Sequence, residues 1–289
     1  MTASAIGRRV SYALRWAVLT AGTLVMLFPM IFMIMVGFFT KEEYWSTDLS
    51  LFPVAKKPTL LNYLALFDAK YMTDIFKPFI NTLTFTVATT AVCVVTILFC
   101  AYAFSRLRWR GQYVMFFTIL ATTMMPGTMG LIPKYIMYSQ LGVINTMWVY
   151  YISLPGINIM GTFVTMQFFR TIPYSLDESA KIDGANIFQI MFRIILPVAK
   201  PIFGYIIITT AIGAWNNWQT GFFFTDRVEL RTLSAALSAL AIVGGAGQGT
   251  PNYPFIVTLS LLITLPSMII YVIFQKYIVQ GLAAAGMKE

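Results

Sequence analysis

The groups in this chain best suited to hold a polar solute without carrying charge are Asn81, Thr82, Asn158 and Gln167, together with the run Trp215-Asn216-Asn217-Trp218-Gln219-Thr220. Amides present a paired donor and acceptor to a hydroxyl, and a flat indole covers the C–H face of a pyranose, so the set fits a polyhydroxylated ligand. On a continuous helix Trp215, Trp218 and Gln219 stand at i, i+3 and i+4 and share one face; interface anchoring or interhelix packing accounts for the two indoles equally. The apolar runs around these residues hold no Asp, Glu, Lys or Arg, and the chain has no His. A charge at mid-membrane costs about 2.5 to 3.5 kcal/mol on insertion scales. Ion coupling, proton relays, intramembrane proteolysis and metal sites therefore lack their usual groups. Asp226 and Glu229 make an acid pair on the expected outer side, which leaves open an enzyme acting on lipid-linked sugars. Lys134, Arg227 or Arg231 would meet the charge of an anionic solute such as a uronate.

The elements that must position these groups follow from composition. With 58% hydrophobic and 11% charged residues, the chain is an integral membrane protein rather than a soluble domain. Continuous apolar runs of about 20 residues or more fall near 16–39, 79–104, 113–132, 146–169, 202–225 and 253–275. The expected fold class is all-α, a polytopic membrane protein with six transmembrane helices in one domain, 1–289. Strands are excluded because the runs do not alternate. Pro126, Gly127, Gly130 and Pro133 predict a kink or break in the third span, and Pro155, Gly156 and Asn158 one in the fourth.

Basic residues set the orientation. Arg8, Arg9, Arg15, Arg106, Arg108, Arg110, Arg170, Lys181, Arg193, Lys200, Lys276 and Lys288 fall on one side, whereas the basic residues of the other side are nearly balanced by acids. The positive-inside rule then puts both termini in the cytoplasm. Contact with the inner leaflet accounts for the +9 charge, so no nucleic-acid partner is expected. The first run is too long for a signal peptide and lacks a small-x-small cleavage site, so it reads as a retained helix. Cys93 and Cys100 read as packing residues. Gly244 to Gly249 is rich in glycine but lacks the Lys-Ser/Thr of a phosphate-binding loop.

Residues 173–197 form a polar island between apolar spans. Ser175 and Glu178 have capping-box spacing, Asp183-Gly184 predicts a turn, and Asn186 and Gln189 repeat the spacing ahead of a second helix ending near Leu196-Pro197. The expectation is a helix-turn-helix at the membrane surface.

This segment resembles the EAA loop of membrane subunits of binding-protein-dependent ABC importers. Glu178, Ala180, Asp183, Gly184, Ala185, Ile194, Leu196 and Pro197 fall at its positions, with departures at Ser179 and Met191. The resemblance extends from about residue 58 to the C-terminus and is nearest to maltose-type sugar permeases. It implies that residues Glu178, Ser179, Ala180, Asp183, Gly184, Ala185 and Phe188 couple to a separate ATPase. Trp215-Asn216 and Thr232-Leu233 are similar to elements of the sugar permeases, so Asn158, Trp215, Asn216, Trp218 and Gln219 become substrate-pathway candidates. Gly244, Gly245, Gly247, Gln248, Gly249 and Asn252 correspond to a loop that enters the binding protein. Gln280, Gly281 and Lys288 resemble a tail that contacts the ATPase.

The implied assembly contains a second, related permease subunit (a heterodimer), two ATP-binding cassette subunits and an extracytoplasmic solute-binding protein. It lies in a bacterial or archaeal inner membrane. No cofactor is expected on this chain, with ATP and Mg on the partner ATPase, and the chain itself is not expected to be an enzyme. An amino-acid or peptide importer subunit is the alternative within transport.

Overall fold

The computed structural model describes residues 3–46, 50–68, 76–152, 158–242 and 250–286, and every regular element among them is helical. In chain order the main helices are α1 (Ala3–Val36), α2 (Phe76–Arg106), α3 (Gln112–Thr122), α4 (Leu131–Gln140), α5 (Ile159–Thr171), α6 (Ser175–Ile182), α7 (Ile187–Val198), α8 (Lys200–Trp215), α9 (Gln219–Phe224), α10 (Leu233–Ile242) and α11 (Tyr253–Gly286). Shorter turns lie at Lys41–Ser46, Leu61–Ala65 and Trp148–Ile152.

Three of these helices, within α1, α2 and α11, are singly long and apolar enough to cross a bilayer. Two more spans arise if each of two bent pairs counts as one. The run at 113–132 is such a pair. The chain turns by 86° between α3 and the Gly127–Gln140 segment, at the place where the sequence predicts a kink or break. Pro126 lacks an N–H and drives the residue before it out of the α region, which ends α3. In the second pair α7 meets Lys200–Phe224 at 81°, with Pro197 and Pro201 flanking the bend. The expected span at 146–169 comprises the Trp148–Ile152 turn and α5, with 153–157 outside the described residues.

The chain divides into two compact units. In residues 76–238 and 265–289, α2 packs along both α5 and α8. Cys93, Ile97 and Ala101 of α2 share a core with Met166 and Phe169 of α5 and with Ile202 and Ile206 of α8. Gly161 permits this approach, since a Cβ there would lie 2.7 Å from Ile97 Cδ1. Small residues let helix backbones come close where lipid offers no hydrophobic drive to associate.

The other unit comprises 1–75 and 239–264. The buried amide of Asn62 donates to the carbonyls of Gly37 and Phe39 at 2.9 and 2.7 Å, holding the turn that follows α1. Lys41–Ser46 and Leu61–Ala65 are short helices that follow α1.

Candidate functional site

The 173–198 segment folds as a helical hairpin whose turn is fixed from both sides. Gly184 adopts φ 81°, the left-handed region that glycine enters without a Cβ penalty. The Ala185 N–H donates to the Ala180 carbonyl at 2.9 Å, and the Gly184 N–H to that of Lys181 at 3.0 Å. This paired pattern is a Schellman close. Across the turn Asn186 and Gln189 form a complete capping box. Asn186 Oδ1 accepts the Gln189 N–H at 2.9 Å, and Gln189 Oε1 accepts the Asn186 N–H at 2.8 Å.

The box expected at Ser175 and Glu178 is corrected. Ser175 is already helical, and the Leu176 and Asp177 amides donate to the carbonyls of Pro173 and Tyr174. Backbone acceptors from the Pro173 turn supply the partners that a serine cap would have provided. The second helix reaches the Leu196-Pro197 region as expected, but Ile190–Ile195 runs as a π-helix.

Within the hairpin, Ala180 is buried in the core and Ala185 packs against it. Glu178, Ser179, Asp183 and Gly184 are exposed. Apolar side chains also face outward: Ile182 is 87% exposed and Phe188 61%. Ala180, Asp183, Gly184, Ala185, Gln189 and Arg193 line a hollow of about 370 Å³.

Asp177 does the opposite and turns inward, 2% exposed. Its Oδ2 lies 3.5 Å from Nη1 of the buried Arg106. Burial pushes the Asp177 carboxyl above its ordinary range, while Arg106 and Lys181 pull it down and Glu178 raises it further. The sequence reading missed this pair, because Arg106 reads as an inner-surface anchor and Asp177 as one more charge on a polar helix.

The solute candidates do not form one surface. α8 ends at Trp215, a turn follows at Asn216, and α9 begins at Gln219. The shared face of Trp215, Trp218 and Gln219 expected from a continuous helix is therefore corrected. Trp215 is 2% exposed, whereas Asn216, Trp218 and Gln219 are open. Asn216 Nδ2 donates to the Ile212 carbonyl at 3.0 Å. Asn158 Oδ1 caps α5 by accepting the Gly161 N–H at 2.8 Å. Thr82, a neighbour of these amides in the reading, accepts the Leu233 N–H at 2.9 Å, while the Thr232 N–H donates to the Tyr150 hydroxyl at 3.1 Å. Thr232 and Leu233 thus anchor the start of α10.

Of the acid pair weighed for an enzyme, Asp226 is engaged by a neighbouring amide. Asp226 Oδ2 accepts from Asn145 Nδ2 at 2.8 Å, and Asn145 Oδ1 accepts the Asp226 N–H at 2.6 Å. Arg231 donates to the Thr225 carbonyl, and the Lys134 ammonium stands over the rings of Tyr138 and Phe224 at 5.3 and 5.4 Å. Gly244, Gly245, Gly247, Gln248, Gly249 and Lys288 lie outside the described residues. Asn252 is described, and its Oδ1 accepts the Phe255 N–H at the start of α11. Gln280 and Gly281 lie on α11, beyond the last residue whose side chain is described.

Helical elements throughout the described residues, with long apolar spans and two bent pairs, define a polytopic membrane protein. No protein-family model matches it. It is 32% identical over 237 residues to the galactooligosaccharides transport system permease protein GanQ of Bacillus subtilis (strain 168), covering 81% of this chain and 82% of that one. It is 28% identical over 275 residues to the trehalose/maltose transport system permease protein MalG of Thermococcus litoralis, covering 92% of each. Among solved structures it matches a bacterial ABC transporter involved in import of the acidic polysaccharide alginate, with TM-score 0.74, 22% identity, and coverage of 96% and 98%. The chain belongs to the family of permease subunits of ABC sugar transporters. It is a transport subunit and not an enzyme.

Proposed function

We propose that this chain is one of two related but distinct membrane subunits that carry an oligosaccharide, or a similar polyhydroxylated solute, across a bacterial or archaeal cytoplasmic membrane. An extracytoplasmic binding protein delivers the solute, and two ATP-binding cassette subunits, which hold ATP and Mg, drive alternating access. Six spans with both termini inside complete this reading. α6 and α7 form the EAA element, in which Glu178 and Asp183 offer charge and Phe188 offers apolar area to the ATPase. Asn216, Trp218 and Gln219 are the solute-facing candidates. The oligosaccharides in the relatives' names support the substrate class.

The observation that carries the reading is the hairpin turn. A Schellman close and a capping box hold Ile182 and Phe188 outward, and an ordered apolar surface of this kind is built for a partner. The test is extraction in mild detergent of the complex bearing the intact chain, then of complexes bearing Glu178→Ala or Gly184→Pro, followed by identification of co-purifying soluble subunits. Recovery of an ATPase that the variants lose supports the reading. An intact chain that brings down no ATPase refutes it.

A further inference from the structure

Arg106, the last residue of α2, is 5% exposed and serves three elements at once. Its Nη2 donates to the carbonyls of Phe169 at 2.5 Å and Ile172 at 2.9 Å, at the end of α5, and its Nη1 lies 3.5 Å from Asp177 on α6. The Tyr174 ring flanks the guanidinium with its centroid 5.9 Å away. The last carbonyls of a helix have no partner within it, so Arg106 caps α5 while it holds the docking helix.

Stability does not explain the arrangement. Removing two charges from water often costs more than their attraction returns, and well-packed apolar residues often do as well or better. Here the contact is long, Arg106 Nε and Asp177 Oδ1 find no partner, and burial dominates over Arg106 at the Asp177 carboxyl. What the pair does supply is direction, since a planar guanidinium fixes the angles of the groups it binds. The hairpin joins α5 and α8 through the chain itself, so only α2 depends on side chains for its link to it.

We propose that the buried Arg106–Asp177 pair is the positioning joint through which movement of the α6–α7 hairpin is passed to α2. The inference rests on reading that hairpin as the ATPase docking element. Both residues are buried among helix ends, so both act through the helices they connect.

The test uses the whole importer complex reconstituted in lipid vesicles, with Cys93 and Cys100 replaced by Ala and nitroxide labels at Val95→Cys on α2 and Ser175→Cys on α6. Pulsed electron resonance measures the label separation without nucleotide and in the ATP–vanadate state, alongside ATP hydrolysis. With Arg106 and Asp177 intact, the hairpin and α2 move together, and the separation changes by no more than about 2 Å between states. In the apolar double variant R106M/D177L the complex assembles and hydrolyses ATP, but the separation changes by about 5 Å or broadens. Arg106→Lys, which keeps the charge and loses the fork, falls between. Should the double variant fail to assemble, Asp177→Asn, which keeps the shape and one acceptor, decides by the same distance. A separation as invariant in the variant as in the parent overturns the joint. Loss of the ATPase from the parent complex overturns the docking reading beneath it and is recognised before any distance is measured.

Discussion

The indole of Trp215 meets the ring of Phe79 edge-on, with 5.9 Å between centroids, so the first tryptophan of the Trp-Asn-Asn-Trp run is spent on packing. Trp218 packs against Phe222 and Phe223 at the edge of α9 and stays 36% exposed. Truncating a buried aromatic costs about 3 to 5 kcal/mol. Trp215→Ala is therefore expected to lower the melting temperature of the purified protein and the folded yield. Trp218→Ala is expected to leave the melt within error and reduce solute uptake. Equal melting losses for both variants would refute this division.

Much of the scaffold was legible in the sequence, and the reasons are physical. Continuous apolar runs without charge cross lipid as helices, and the glycine of Asp183-Gly184 followed by an amide at Asn186 marks a turn and a cap. What escaped was tertiary. Inside α6 the sequence offers Leu176, Ala180 and Ile182 as the residues to bury, yet Leu176 and Ile182 face outward while Asp177 faces in. That inversion depends on Arg106, 71 residues earlier, and no local pattern announces it. Likewise the break at Asn216 separates Trp215 from Trp218, because the polar Asn216-Asn217 pair that marks it also fits a solute-facing stretch of one continuous helix.

Gly184 at φ 81° sets a ranking of substitutions. A β-carbon in the left-handed region costs about 1 to 2 kcal/mol, with Asn the best tolerated of the chiral residues. ATPase recovered per permease is expected to fall in the order Gly184, Gly184→Asn, Gly184→Ala, Gly184→Val. Any other order would place the requirement at the side chain rather than the backbone.

The capping box gives a milder and more local effect. Asn186→Ala removes the acceptor for the Gln189 N–H, worth about 1 kcal/mol, whereas Asn186→Asp keeps an acceptor. Hydrogen exchange of the amides at 187–189 is expected to quicken several-fold in the first variant and stay near the parent rate in the second.

Asp177 makes a prediction about pH with a definite sign. Its carboxyl in the folded chain sits above the ordinary value of 3.8, so the folded state holds the proton more tightly than the unfolded state. Its contribution to stability is then greatest in acid and is lost as pH rises from about 3.8 through the folded value. Thermal melts across that window are expected to show a smaller decline with rising pH in Asp177→Asn than in the parent. A steeper decline in the variant would reverse the assignment.

The anchoring of α10 bears on the order in which the chain matures during synthesis. The amides of Thr232 and Leu233 are buried, and their acceptors, Tyr150 and Thr82, precede them by 82 and 151 residues. A buried amide without a partner is costly in apolar surroundings, and at ten residues α10 is too short to span a bilayer by itself. It therefore settles only once the helices that carry Tyr150 and Thr82, made much earlier, are in place. A chain cut before Thr232 leaves the Tyr150 and Thr82 hydroxyls without these two donors.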